Sequence, residues 1–366
     1  MEKKYNIKME IKGNQNVEVF MRKVFGENSK GETVSIFTLE NKKGMKVSFI
    51  DLGAAVHEIF VKDKNGELVQ VSAIYDNPIS YEEQTTFFGA AVAPSANRIA
   101  DAKFEIDGQV YTLDANNNEN NLHSGANTLA KKIWKVKEQT DNKIIFAYDA
   151  KHLEQGFPGN VHYEVTYEVT EENELSISYY AVSDQKTTIN MTNHTYFNLA
   201  GAFSGNIENH KLWVKASHYT PVKDDKAIPT GEIAPVEGTP FDFREEKEIG
   251  KDIAENFDQL IFGLGYDHNF AIDKDVVGVE KIATAYAEET GIQMDVWTDC
   301  IGVQLYTGNF MEGEVGPNGY IYPKRGAFCL ETQYFPNAIN ETNFVCPITE
   351  ANEPYETKTV YAFSCK

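Results

Sequence analysis

VHYEVTYEVT, residues 161–170, alternates apolar and polar side chains over ten consecutive positions. Successive side chains of a strand point to opposite faces, so this pattern predicts a strand with one buried and one exposed face. Glu171, Glu172 and Asn173 follow as turn residues, and Leu175 to Tyr179 then alternates apolar residues with serines. Two alternating runs joined by a short turn predict a β-hairpin.

Similar short runs recur along the chain and are separated by clusters of turn residues. The runs are KVSFIDLG (46–53), KIIFAYDA (143–150), HKLWVKAS (210–217), GIQMDVWT (291–298) and GVQLYTG (302–308), and the turn clusters are DKNGE (63–67), DANNNENN (114–121) and GPNG (316–319). Helical periodicity is scarce, with one short helix expected around 245–256. The pattern predicts an all-β fold of one large antiparallel domain over 1–366, with few short helices. Periodicity leaves open whether it is a sandwich or a barrel.

Composition restricts the partners of the chain. Hydrophobic residues form 42% of the 366 positions, enough for a sizeable core, and the formal net charge is −21. Such a charge disfavours nucleic acid and anionic membrane surfaces and favours a neutral small molecule. No apolar run approaches the roughly 18–20 residues that span a bilayer. The first fifteen residues lack the apolar run of a secretory signal.

The four cysteines all lie in the last 70 residues and form no CxxC pair: Cys300, Cys329, Cys346 and Cys365. This spacing argues against zinc ribbons and thioredoxin-type sites. We therefore expect reduced thiols and a cytoplasmic location.

Two residues interrupt apolar surroundings with groups able to do acid–base chemistry. His194 lies in TNHTYFN, where an extended chain would place Tyr196 and Asn198 on the same face. Glu331 lies in AFCLETQYF, on the same strand face as Cys329 and Gln333. A buried carboxylate must be paired or face a cavity. A buried histidine with asparagine partners and a structural salt bridge remain open alternatives, as does an ion pair for Arg98 in SANRIAD.

Familiar catalytic motifs are missing from the sequence. It contains no HExxH or HxH pair, no GxSxG elbow, no GxxxxGK[ST] loop and no GxGxxG after a strand. Metal-assisted hydrolysis, serine hydrolysis, phosphoryl transfer and dinucleotide chemistry therefore lack their usual signatures. The residues alone predict a polar cleft that contains histidine, glutamate and arginine.

At these positions the sequence resembles the aldose 1-epimerase (galactose mutarotase) family. The matching blocks occur in the family's order and cover about 25–365. They are FGAAVAPSANRIADAKF (88–104), NNLHSG (120–125), GFPGN (156–160), TNHTYFNLAG (192–201), YDHNF (266–270), GVQLYTGNF (302–310) and CLETQYFPNAIN (329–340).

The resemblance implies a large antiparallel β-sandwich with an open cleft and an isomerase that interconverts the anomers of a free hexose without cofactor or metal. It implies Glu331 as the catalytic base and His194 as the catalytic acid, with Arg98 helping to keep the carboxylates ionised. The sugar-binding residues that it implies are Asn97, Arg98, His123, Asp267 and Gln304. Tyr196 or Phe243 is expected to cover an apolar face of the sugar. The oligomeric state is expected to be monomer or homodimer.

The chain departs from the family pattern around the cleft. Ala93 and Pro94 replace Gly-Arg, Ser124 replaces a glycine, and 128–131 (TLAK) replaces Gly-Phe-Asp-Lys. These changes leave the preferred hexose open. Two rival functions are a non-catalytic carbohydrate-binding protein, which has no reason to keep both His194 and Glu331, and a hexose-6-phosphate 1-epimerase, which needs additional cations for the phosphate.

Overall fold

The computed structural model describes residues 22–366. The N-terminal stretch 1–21, on which the prediction about a secretory signal was made, lies outside the described residues. Within 22–366, no helix is long and apolar enough to cross a membrane.

The described chain consists mainly of short strands. In chain order these are β1 Arg22–Glu27, β2 Thr33–Glu40, β3 Lys46–Ile50, β4 Ala55–Lys62, β5 Leu68–Gln70, β6 Ala91–Val92, β7 Arg98–Ile99, β8 Lys103–Ile106, β9 Gln109–Thr112, β10 Asn121–Leu122, β11 Lys135–Gln139, β12 Lys143–Ala150, β13 Val161–Val169, β14 Glu174–Ser183, β15 Thr187–Thr188, β16 Thr192–Asn193, β17 Lys211–Val214, β18 His218–Thr220, β19 Ala234–Pro235, β20 Lys247–Glu248, β21 Asp267–Ala271, β22 Glu280–Tyr286, β23 Ile292–Thr298, β24 Gly302–Tyr306, β25 Cys329–Gln333, β26 Ile348–Thr349 and β27 Pro354–Cys365. The helices of the described residues are α1 Pro78–Glu83, α2 Asp258–Gly263 and the 3-10 turns Ala100–Ala102, Leu129–Lys131 and Pro317–Gly319.

The longest sheet confirms the predicted hairpin. β13 and β14 pair antiparallel from Val161↔Ser183 to Val169↔Leu175. Along β13 the apolar residues are buried and the alternating polar ones are half-buried, as the period of two predicts. Within the described residues this long sheet has nine strands in the order β11-β12-β13-β14-β27-β23-β22-β17-β20. The other predicted runs become β3, β12, β17, β23 and β24.

Two five-stranded sheets pack against the long sheet, which makes the fold a sandwich. The N-terminal sheet, β1 to β5, places Phe49 4.5 Å from Tyr167 of β13, measured between ring centroids. The third sheet has the order β19-β18-β21-β24-β25, and the Leu330 carbonyl of β25 accepts a hydrogen bond from the Tyr361 hydroxyl of β27. One hydrophobic cluster contains residues of all three sheets. The sandwich that the family resemblance implied is therefore confirmed.

The prediction of a short helix around 245–256 is wrong. This segment contains only the two residues of β20, and turns follow them. Ile249 and Ile253 are buried at helical spacing, but each fills the core from a turn. A spacing of four therefore arose here without a helix, because tertiary contacts select the buried residues of an irregular segment.

Candidate active site

The third sheet supplies one side of a cluster of polar side chains, at the place of the predicted cleft. Gln304 of β24 lies directly opposite Glu331 of β25, and Asn269 of β21 lies opposite Gln304. Asp267 occupies the same face as Asn269, two residues earlier, because side chains two apart on a strand share a face. Strand register thus places Asp267, Gln304 and Glu331 side by side, although long stretches of sequence separate them.

Short strand pairs bring the remaining groups to this face. β7 pairs with β10, with Leu122 opposite Arg98, so His123 follows directly beside the Arg98 segment. β16 pairs with β6, and His194 is the residue after β16. Two-residue strands give little sequence signal, so they were not predicted.

Glu331 and His194 form a buried pair. Glu331 Oε1 lies 3.6 Å from His194 Nε2, and the two side chains are 3% and 7% exposed. Glu331 Oε2 is buried and has no hydrogen-bond partner among the described residues. A buried carboxylate oxygen without a partner is costly unless a ligand supplies the missing hydrogen bond. This oxygen is therefore suited to accept a hydroxyl proton from a bound molecule.

Burial controls the protonation of the pair. It raises the pKa of Glu331 well above its ordinary value, and Asp267 raises this pKa further while Arg98 opposes the shift. Burial also lowers the pKa of His194, against the opposing effects of a hydrogen bond to its own backbone and of Asp267. Arg98 therefore favours the ionised carboxylate, as expected, but desolvation outweighs the charge of its guanidinium at Glu331. Both shifts favour the neutral carboxyl and the neutral imidazole over the ion pair.

His123 faces the pair as a hydrogen-bond donor. Its ring lies 5.2 Å from that of His194, between centroids, and its Nδ1 accepts a hydrogen bond from the Asn97 peptide N–H at 3.2 Å. Burial, His194 and Arg98 lower the pKa of His123 well below its ordinary value, so the ring is neutral. With Nδ1 accepting, the proton of the neutral ring must be on Nε2. His123 can donate this proton in a hydrogen bond to an oxygen of a ligand.

The chemistry of these donors does not fit a metal ion. Potential ligand atoms of His123, His194 and Glu331 lie within 4.8 Å of one another. A metal needs a free nitrogen lone pair. His123 offers none, because the Asn97 N–H occupies Nδ1 and a proton occupies Nε2.

A charged chain of side chains borders the cleft. Arg98 Nη2 lies 3.7 Å from Asp267 Oδ2, and Gln304 Nε2 donates to Asp267 Oδ1 at 2.7 Å. Arg98 Nε donates to Asn117 Oδ1 at 3.2 Å. The ion pair left open for Arg98 is therefore formed with Asp267, and it lies within the cleft. Asn97 links this chain to His123, since its side-chain oxygen accepts from the Arg98 peptide N–H.

The two aromatic residues expected to cover a sugar differ in their surroundings. Phe243 is 1% exposed and packs on Tyr266 and on Phe270, which points to the opposite face of β21. Tyr196 is 2% exposed and stacks on the imidazole of His194 at 5.0 Å. The prediction for Phe243 is wrong, because this side chain fills the core. Tyr196 packs against the His194 imidazole, and its contact with a sugar stays a prediction.

Sequence reasoning missed several residues that contact the predicted site. Phe87 packs against the His123 ring at 4.7 Å, and Tyr306 lies edge-on to His194 at 6.3 Å. Asn117 binds Arg98 from within the asparagine-rich stretch, which the sequence presented only as a turn. Cys329 Sγ lies 3.5 Å from His194 Nδ1. Its position on the face of Glu331 was visible in the strand pattern, but its contact with His194 was not.

Known proteins match nearly the whole of this chain. A family model described as aldose 1-epimerase matches residues 35–362. Human galactose mutarotase is 38% identical over 346 residues, which cover 94% of this chain and 98% of the human protein. Aldose 1-epimerase of Escherichia coli K12 is 33% identical and covers 91% of this chain and 96% of its own length.

Solved structures show the same fold. The aldose epimerase homologue of C. elegans superposes with a TM-score of 0.84 at 28% identity, covering 91% of this chain and 99% of its own. Galactose 1-epimerase of Lactobacillus acidophilus gives a TM-score of 0.81 at 23% identity, covering 94% and 99%.

Proposed function

The chain belongs to the aldose 1-epimerase family, and we propose that it interconverts the α and β anomers of a free hexose by acid–base chemistry at Glu331 and His194. The observation that carries this proposal is the buried pair, with Oε1 of the carboxylate 3.6 Å from Nε2 of the imidazole and Oε2 without a partner. Galactose is the first substrate to test, since it appears in the names of the human and Lactobacillus relatives.

Ring opening moves two protons in the proposed mechanism. The reactive form of the pair is a Glu331 carboxylate and a His194 imidazolium, reached from the neutral pair when one proton moves between Oε1 and Nε2. Glu331 takes the proton of the C1 hydroxyl, and His194 Nε2 gives its proton to the ring oxygen. The C5–O5 hydroxyl is formed and the C1–O5 bond breaks, leaving an aldehyde. Rotation about C1–C2 and the reverse transfers give the other anomer.

The remaining cleft residues are proposed to bind and orient the sugar. His123 Nε2 donates to a sugar oxygen, and Asp267 and Gln304 exchange hydrogen bonds with hydroxyl groups. Arg98 fixes Asp267, and Asn97 fixes both Arg98 and His123. Arg98 is thus already shared between Asp267 and Asn117, which argues against its use as a phosphate clamp and against a hexose 6-phosphate substrate.

Three further expectations stay proposals. We propose a single domain, supported by the hydrophobic cluster shared by the three sheets. A cytoplasmic location is proposed from the four cysteines, all of which are free thiols. A monomer or homodimer is proposed for the assembly, and light scattering will distinguish them. The charge of −21 supports a small neutral partner in place of nucleic acid or an anionic membrane.

Polarimetry tests the proposed activity directly. Fresh α-D-galactose and α-D-glucose are followed at neutral pH with wild type and with Glu331→Gln or His194→Gln. We expect wild type to accelerate relaxation to the unchanged final rotation. Each variant is expected to be about 10²–10⁴-fold slower than wild type, because this factor is the usual contribution of a positioned acid or base.

Matched controls come from exposed positions. Glu356→Gln and His218→Gln change the same residue types on the surface and are expected to keep the wild-type rate. Wild type that accelerates no free aldose would overturn the proposal. Calorimetric binding of galactose without acceleration would instead identify a carbohydrate-binding relative.

A further inference from the structure

His194 must perform its proton transfer from one defined nitrogen. In the proposed mechanism Nε2 gives its proton to the ring oxygen and later takes it back. Nδ1 keeps its proton throughout, both in the imidazolium and in the neutral ring that exists while the sugar is open. A buried N–H that is never released needs a permanent acceptor, because an unpaired buried donor is costly.

Stacking alone does not determine which nitrogen faces Glu331. The His194 ring is nearly parallel to Tyr196, at an interplanar angle of 17°, and to Phe87, at 20°. These contacts fix the plane of the ring. A half-turn about the Cβ–Cγ bond preserves that plane but exchanges Nε2 for a carbon. A directional contact at the edge of the ring is therefore required to choose between the two orientations.

Cys329 provides this contact. Its Sγ lies 3.5 Å from His194 Nδ1, within hydrogen-bond range for sulfur, and the residue is fully buried. β25 places it two residues before Glu331, so both residues project from the same strand face toward His194. Burial, Glu331 and Asp267 raise the pKa of Cys329 well above its ordinary value, so the sulfur stays a neutral thiol.

We propose that Cys329 is a positioning residue, whose sulfur accepts the Nδ1–H hydrogen bond of His194 and thereby directs Nε2 to Glu331 and the sugar. The inference rests on the proposed function. A thiol sulfur is a weak acceptor. It holds the ring in place without the strong stabilisation of the imidazolium that a carboxylate would give, so Nε2–H stays a competent acid.

Substitutions at Cys329 separate positioning from packing. Cys329→Ala removes the acceptor and is expected to lower kcat for galactose about tenfold, the loss of one modest hydrogen bond, with KM within twofold of wild type. Cys329→Ser restores an acceptor and is expected to give a kcat between those of wild type and Cys329→Ala. Cys300→Ala is the matched control, since Cys300 is also a buried free thiol but its sulfur lies against Asp299.

A second measurement reports the protonation of the His194 ring nitrogens and does not depend on activity. The ¹⁵N shifts of His194, assigned by comparison with His194→Gln, are expected to show a protonated Nδ1 in wild type near neutral pH. In Cys329→Ala the Nδ1–H population is expected to fall.

The results have distinct meanings. A kcat of Cys329→Ala within twofold of that of Cys300→Ala would overturn the inference, as would a wild-type Nδ1 that carries no proton across the active pH range. Absence of wild-type mutarotation with an Nδ1–H that depends on Cys329 would overturn the proposed function and leave the contact standing.

Discussion

At the scale of single residues, burial decides the protonation that the proposed catalytic pair, Glu331 and His194, favours. The family resemblance implied Glu331 and His194 as base and acid, with Arg98 helping to keep the carboxylates ionised. In the structure, desolvation shifts the pKa of Glu331 upward and that of His194 downward. Both shifts favour a state in which the pair holds one proton. That proton count is the one the proposed mechanism needs.

The pH dependence of the reaction follows from this count. Below the lowered pKa of His194 the pair gains a second proton and has no base, and above the raised pKa of Glu331 it loses its only proton and has no acid. The enzyme-catalysed rate is therefore expected to follow a bell, with its acid limb below pH 6.5, the ordinary pKa of histidine. Polarimetry across pH 4 to 10, corrected for the uncatalysed reaction, measures it. An acid limb with its midpoint at or above pH 6.5 would contradict the assignment of this limb to His194.

At the scale of elements, the register between strands, rather than strand propensity, determines which side chains meet at the proposed site. β21, β24 and β25 were all visible as motifs or alternating runs, but only their pairing brings Asp267, Gln304 and Glu331 together. The two-residue strands β7, β10 and β16 have no periodicity to detect. They are recognised only because distant segments supply their hydrogen-bond partners.

The junction of β2 and β3 allows a stability prediction. Asp51 follows β3, is 6% exposed, and accepts a hydrogen bond from the Ser35 peptide N–H of β2 at 2.8 Å. Burial raises its pKa to about 6, against the opposing effects of Ser35 and Arg22. A carboxyl group with a raised pKa in the folded state contributes stability at pH values below its unfolded pKa, and this contribution is lost as the pH rises through about 6.

Asp51→Asn keeps the acceptor and removes the ionisation. Relative to wild type, its unfolding free energy is expected to rise by about 2–3 kcal/mol between pH 3.5 and pH 7.5, because the wild type alone ionises a buried group. Urea unfolding at both pH values measures the difference. A difference in unfolding free energy between wild type and Asp51→Asn that is the same at both pH values would contradict the raised pKa of Asp51.

At the scale of the whole molecule, contacts between sheets fix the sandwich. The Tyr167 hydroxyl of β13 donates to the Ala54 carbonyl at 2.6 Å, beside β4 of the N-terminal sheet. Tyr167→Phe leaves this buried carbonyl without its partner and is expected to lower the unfolding free energy by about 1–3 kcal/mol. Tyr180→Phe, on the outer face of β14, is the control and is expected to change it by less than about 0.5 kcal/mol. If urea unfolding shows equal losses of unfolding free energy in Tyr167→Phe and Tyr180→Phe, a specific role for this hydrogen bond is contradicted.

The sequence by itself determined the strand-rich fold, the β13–β14 hairpin and the segments that form the cleft. These follow from a period of two and from motifs, both of which are local properties of the chain. Periodicity left a sandwich or a barrel open, and only the family resemblance pointed to the sandwich that the structure has. Tertiary structure alone decided that Phe243 faces the core and that Cys329 contacts His194. It also decided the protonation of the Glu331–His194 pair. Burial and contact depend on segments far apart in the chain, whose packing sets the local dielectric and the partner of each polar atom.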